Sequence, residues 1–136
     1  MLIIRKGNVQ KLLRLIITPS TTDYNGVYRG KYIDFEAKET KNKTSFPLFM
    51  IHPHQIKHLK KVVFHGGIGF FIIRFNYHNE TYLVDSKMLI DKIENIDKSS
   101  IPYTWFQNHG TLIQEGLYPR LAYLKVLDEL YFKEDK

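Results

Sequence analysis

The segment Ile68–Phe75, IGFFIIRF, constrains the fold of this chain more than any other. It is too short to span a bilayer, which takes about twenty apolar residues in a helix. Successive side chains of a strand point to opposite faces, and here both alternating sets are apolar apart from Arg74. Neither face could be left in water. Gly66 and Gly67 precede the run and residues 76–79, NYHN, follow it, so turn formers bound it on both sides. The segment therefore reads as a central strand covered on both faces, which requires helices layered on a sheet. With 136 residues the chain has the length of one such domain.

The remaining elements are read outward from that strand. Residues 23–28 and 31–40 predict a hairpin turned at Arg29-Gly30. A helix starts near His52-Pro53, with proline at a first helical position and Ile56, Leu59 and Val63 as its expected buried stripe. Gly66-Gly67 stops it, and because a strand follows, the pair is a helix stop and not a phosphate cradle. A second strand over residues 80–84, a helix over residues 86–96 and an aromatic turn at Tyr103, Trp105 and Phe106 come next. Pro119 opens a last helix with Leu121, Leu124, Leu127 and Tyr131 on one side. Residues 2–17 mix apolar and basic residues without a period and are not assigned. The class is α/β with a mixed central sheet.

Charge narrows the partner. The chain carries 20 Lys and Arg against 14 Asp and Glu, a net charge of +6. Residues 1–22 hold Arg5, Lys6, Lys11 and Arg14 and no acid, and residues 38–61 hold six lysines and three histidines against Glu39 alone. Clustered cations gain from counterion release on a phosphate backbone, so a nucleic acid is the natural partner. The absence of cysteine excludes a disulfide framework, a thiol nucleophile and a Cys-ligated zinc site. No apolar run reaches membrane length and Arg14 interrupts LLRLII, so the expectation is a soluble, cytoplasmic protein.

The basic segments surround an acidic strand. In KYIDFEAKET, residues 31–40, Asp34, Glu36 and Lys38 share one face while Ile33, Phe35 and Ala37 share the other. Asp23, on the preceding strand, could approach Glu36. Two such carboxylates offer hard oxygen ligands to Mg²⁺, and Lys38 beside them could orient water or neutralise charge developing on phosphate. The plainer reading is a solvent face with cross-strand charge pairing. His52, His54, His58 and His65 lack the companions of a metal motif and are expected to be structural or to face DNA. Ser20, Thr21 and Thr22 have no paired base and read as loop or phosphate contacts. Trp105 reads as core.

The run STTDYNGVYRGKYIDFEAKETKNKTSFPL closely resembles the RecU family of Holliday junction resolvases. HPHQIKHLKKVV, GGIGFFIIRF, SIPYTWFQNHG and YPRLAYLKVLDELYF are similar to that family's later blocks in the same order, so the resemblance spans residues 19–132. It implies a restriction-endonuclease-like nuclease of the PD-(D/E)xK superfamily. Such proteins are homodimers that nick four-way junctions symmetrically with Mg²⁺ or Mn²⁺, alongside other recombination proteins. By the same resemblance Asp23 and Glu36 are the metal-binding acids and Lys38 the catalytic lysine. Thr22 stands beside the first acid and Gln55 supports the site. Lys41, Lys43, Lys57, Lys60 and Lys61 are expected to contact DNA. The loop before Asp23 corresponds to the base of a stalk protruding ahead of the first active-site strand. Residues 1–18 do not match the family and form a divergent segment before a nuclease domain at residues 19–136. The family carries a further acid in a preceding region, so the expectation is junction binding with little or no cleavage. The alternative is a non-catalytic accessory protein that binds branched DNA.

Overall fold

A computed structural model gives the backbone of residues 3–4, 24–114 and 119–132, and the side chains of residues 24–114 and 123–132. Among these, β1 (Ile3–Ile4), β2 (Tyr24–Tyr28) and β3 (Lys31–Thr40) are followed by β4 (Ser45–Pro47) and helix α1 (Pro53–Phe64). Then come β5 (Ile68–Phe75), β6 (Glu80–Asp85), α2 (Ser86–Asn95), β7 (Ser100–Pro102), α3 (Tyr103–His109), β8 (Thr111–Leu112) and α4 (Pro119–Tyr131). The main sheet has the order β1-β2-β3-β5-β6-β8, and β4 pairs with β7 in a small second sheet. The β3–β5 pair is parallel and its neighbours are antiparallel, so the sheet is mixed. This is the α/β, restriction-endonuclease-like arrangement expected from the sequence.

β5 is central and buried on both sides, as its composition required. Phe70 and Ile72 join Ile33, Phe35 and Ala37 in a core closed by Tyr123, Val126 and Leu127 of α4. Phe71, Ile73 and Phe75 face the other way, toward Leu59 of α1, Leu89 and Ile90 of α2 and Phe106 of α3. The crossover from β3 through α1 to β5 is what lays α1 over that second face.

The hairpin forms where the sequence placed it. Arg29 (φ 52°) and Gly30 (φ 79°) are both left-handed, the geometry that joins two twisted strands through a two-residue turn. Gly30 adopts it freely. For Arg29 the conformation costs about 1 kcal/mol, and its guanidinium is tied to Asp128 of α4 by Nε–Oδ1 and a longer Nη2–Oδ2 contact, 2.7 and 3.3 Å. Tyr28 donates to the same carboxylate at 2.9 Å. At the far end of α1, Gly66 is left-handed (φ 91°) and β5 begins two residues later.

Two helix faces differ from expectation. The buried side of α1 is Gln55, Leu59 and Val62, whereas Ile56 is half-buried and Val63 lies 39% exposed. Apolar periodicity misjudged the rotation because part of what α1 covers is polar. On α4 the buried residues are Tyr123, Val126 and Leu127, with Leu124 and Tyr131 packed beside them. The Leu121 side chain lies outside the described residues. Phe106 is fully buried, and Tyr103 and Trp105 pack half-buried against its cluster. Ile3–Ile4 adds a strand beyond β2. The rest of residues 1–18, and the segment expected to form the base of a stalk, lie outside the described residues. No helix among the described residues is long and apolar enough to cross a membrane.

Candidate active site

The acidic face of β3 is not a solvent face. Asp34 and Glu36 are 1% exposed and Lys38 is 4% exposed. The reading as surface charge pairing is thereby corrected, and the cause is topological. β3 lies inside the sheet between β2 and β5, and the crossover helix α1 covers the side that carries these three residues. Burying a carboxylate costs several kcal/mol unless partners replace its water.

Two of those partners come from one turn of α1. Gln55 Nε2 donates to Glu36 Oε1 at 2.9 Å. Its Oε1 accepts from the backbone N–H of His52 at 2.9 Å, so the helix N-cap fixes which way the amide points. Three residues on, His58 Nε2–H donates to Asp34 Oδ2 at 2.7 Å. Tyr32 O–H donates to that same oxygen at 2.9 Å. Asp34 Oδ1 is buried with no hydrogen-bond partner among the described residues. Helix positions three apart share a side and strand positions two apart share a face, so Gln55 and His58 meet Glu36 and Asp34 as two matched pairs.

The face holds two carboxylates against one ammonium, all buried. A buried carboxylate such as Glu36 offers hard oxygen donors that suit a small divalent cation such as Mg²⁺. Among the described residues no three His, Asp or Glu side chains converge as a metal cluster. Asp23 and Thr22, the other residues expected here, lie outside the described residues. Gln55, which the resemblance named as a supporting residue, donates to Glu36, while the contact of His58 with Asp34 was not foreseen. Both helix–strand contacts join elements some twenty residues apart, and no local periodicity announces them.

Around this face Lys41 and Lys43 are exposed beyond β3, and Lys57, Lys60 and Lys61 are exposed on α1. Lys43 Nζ lies 5.1 Å from the Tyr77 ring centroid. Lys60 is engaged with Glu94 of α2 at 2.6 Å. A second polar cluster also escaped sequence reading. Glu80 accepts from Tyr103 O–H and from Tyr82 O–H, the latter at 2.8 Å. Tyr103 is the main cause that holds the Glu80 carboxyl below its usual range, with Tyr82 and His78 adding to it and burial opposing.

The family model described as Recombination protein U matches residues 6–129. The chain is 58% identical over 116 residues to a Holliday junction resolvase RecU of Geobacillus kaustophilus (strain HTA426), covering 83% of this chain and 58% of that protein. It is 56% identical over 117 residues to the protein of the same name from Shouchella clausii (strain KSM-K16), covering 85% and 56%. It is 54% identical over 117 residues to that of Bacillus cytotoxicus, covering 84% and 58%. The chain thus spans less than two thirds of the length of these relatives.

Proposed function

The chain belongs to the RecU family, and on that premise we propose that it is a divalent-metal-dependent endonuclease domain acting on four-way or other branched DNA. The observation that carries this reading is Glu36, a buried carboxylate held through one oxygen by Gln55 on a face that also buries Lys38. Buried carboxylates set beside a buried ammonium cluster at functional sites, because taking both out of water is costly for the fold alone.

Glu36 and Asp23 are the residues that would hold Mg²⁺ or Mn²⁺. Phe35, the residue before Glu36, pairs with Tyr24, the residue after Asp23 in sequence, and this register is what supports Asp23 as the second acid. A bound divalent ion supplies charge stabilisation at the scissile phosphate and makes water a better nucleophile at neutral pH. Gln55 keeps Glu36 turned to one orientation, and Thr22 stands beside the first acid. Lys38 neutralises charge that builds on the phosphate or orients the attacking water. Burial excludes bulk solvent from this face and so strengthens each of these interactions. Lys41, Lys43, Lys57, Lys60 and Lys61 would track the DNA backbone. A junction offers two related strands to cut, which a homodimer with two such sites would match. The setting is the cytoplasm, where a DNA substrate would be met.

The test is nicking of a labelled four-way junction in Mg²⁺ by the wild-type chain, Glu36→Gln and Lys38→Ala. Each substitution should cut the nicking rate by about a hundredfold or more while junction binding persists. Nicking by Glu36→Gln at the wild-type rate would contradict the assignment.

A further inference from the structure

α1 has to be placed on β3 along its axis as well as against it. Leu59 and the half-buried Ile56 join the apolar cluster on that side of the sheet, and Val62 is buried further along the helix. Apolar contacts are non-directional, and by themselves they tolerate a sliding helix better than a hydrogen bond does. The Gln55–Glu36 bond does not tolerate it, because a rise of 1.5 Å per residue makes even a one-residue slip exceed the range of a good bond. A second directional contact able to fix the axial position lies a turn further on, where the His58 ring reaches the buried Asp34 carboxylate at 2.7 Å. Asp34 is in turn pinned through the same oxygen by Tyr32. The His58 side chain is 48% exposed, so burying an aromatic ring does not account for its place.

We infer that His58 and Asp34 are positioning residues for the cation site. Their contact sets the register of α1 on β3 so that the Gln55 amide meets Glu36 Oε1 and holds that carboxylate for the ion. The inference rests on the metal-binding reading of Glu36 proposed above. It assigns His58 no contact with the ion and none with DNA. A residue that orients a ligand's partner acts on the ligand's affinity even though it never touches the metal.

Mn²⁺ titration calorimetry on the purified chain tests this, with thermal unfolding followed on every variant. His58→Ala should weaken Mn²⁺ binding by about tenfold. His58→Gln, whose amide nitrogen can occupy the place of Nε2, should recover most of the affinity. His58→Asn, one carbon shorter, should not. Both amides suit a half-exposed helix position, so this comparison stands even if the alanine variant folds poorly. Because His58 acts through Gln55, His58→Ala made in a Gln55→Ala background should cause no further loss of affinity. Wild-type affinity in His58→Ala, equal affinities in the Gln and Asn variants, or the same fold loss in both backgrounds would overturn the inference. Glu36→Ala separates the two levels. If it binds Mn²⁺ as wild type does, the metal reading falls and the positioning role falls with it. If it loses binding while His58→Ala keeps it, only the positioning role falls.

Discussion

Gln55 shows how one side chain ties the start of a helix to a buried carboxylate. Its carbonyl oxygen accepts from His52 N–H at the start of α1, and its amide nitrogen is thereby aimed at Glu36. Helix periodicity could not find this residue, because a polar side chain on a buried stripe breaks the pattern by which the stripe is recognised. The resemblance to the RecU blocks singled it out instead, as an expected supporting residue. The pairing of Asp34 and Glu36 on one face was legible in the alternation of β3, but their burial was not, since that depends on a helix from elsewhere in the chain. A residue-scale prediction follows from the packing. Gln55→Glu replaces the donor to Glu36 with a second buried carboxylate, and it should destabilise the metal-free protein by about 3 kcal/mol, the order reported for unpaired buried charges. Mn²⁺ should restore much of the loss by neutralising the pair. Urea unfolding with and without Mn²⁺ measures both, and an unchanged midpoint in the metal-free variant would count against the Gln55–Glu36 contact.

At the scale of elements, the sequence declared β5, the β2–β3 hairpin and the caps of α1 clearly, because each rests on local chemistry. Turn glycines, a proline at a helix start and an apolar run are read without knowing what lies opposite. The rotations of α1 and α4 and the anchoring of α4 depend on distant partners and were not read. Asp128 of α4 grips the turn of the hairpin through Arg29 and Tyr28, with Arg29 the larger cause that depresses its carboxyl. The Glu80 carboxyl between β6 and α3 is depressed by Tyr103 and Tyr82. A carboxyl whose folded pKa lies below its unfolded one stabilises the fold above the unfolded value, and that contribution is lost as pH falls through the folded value. The ordinary values are 4.5 for Glu80 and 3.8 for Asp128. The urea midpoint should therefore hold steady from neutral pH to about pH 5 and fall as pH drops below about 4.5. Glu80→Gln should be less stable than wild type at pH 7 and show a shallower acid decline. A decline as steep as wild type would remove Glu80 from the explanation.

At the scale of the whole molecule, the exposed Lys41, Lys43, Lys57, Lys60 and Lys61 lie on or next to the elements that bound one buried acidic face. The concentration of cations was legible in the sequence, and their separate uses were not. Lys60 closes onto Glu94, whereas Lys57 and Lys61 lie exposed on the same helix. Junction affinity should fall steeply with salt, since each neutralised phosphate releases about one counterion. Lys43→Ala or Lys61→Ala should reduce the slope of log affinity against log salt by about one. Lys60→Ala should reduce it less. Equal slopes for all three variants and wild type would place the DNA on another surface.

The central claim is that the covered face of β3 is a divalent-cation site built on Glu36. Anomalous scattering from crystals grown with Mn²⁺ tests it most directly, because the ion's position is read without assuming any activity. The expected result is a Mn²⁺ peak about 2 Å from a Glu36 carboxylate oxygen, with Gln55 still bonded to the other oxygen. A Mn²⁺ peak bound elsewhere, with none within bonding distance of Glu36, would contradict the claim.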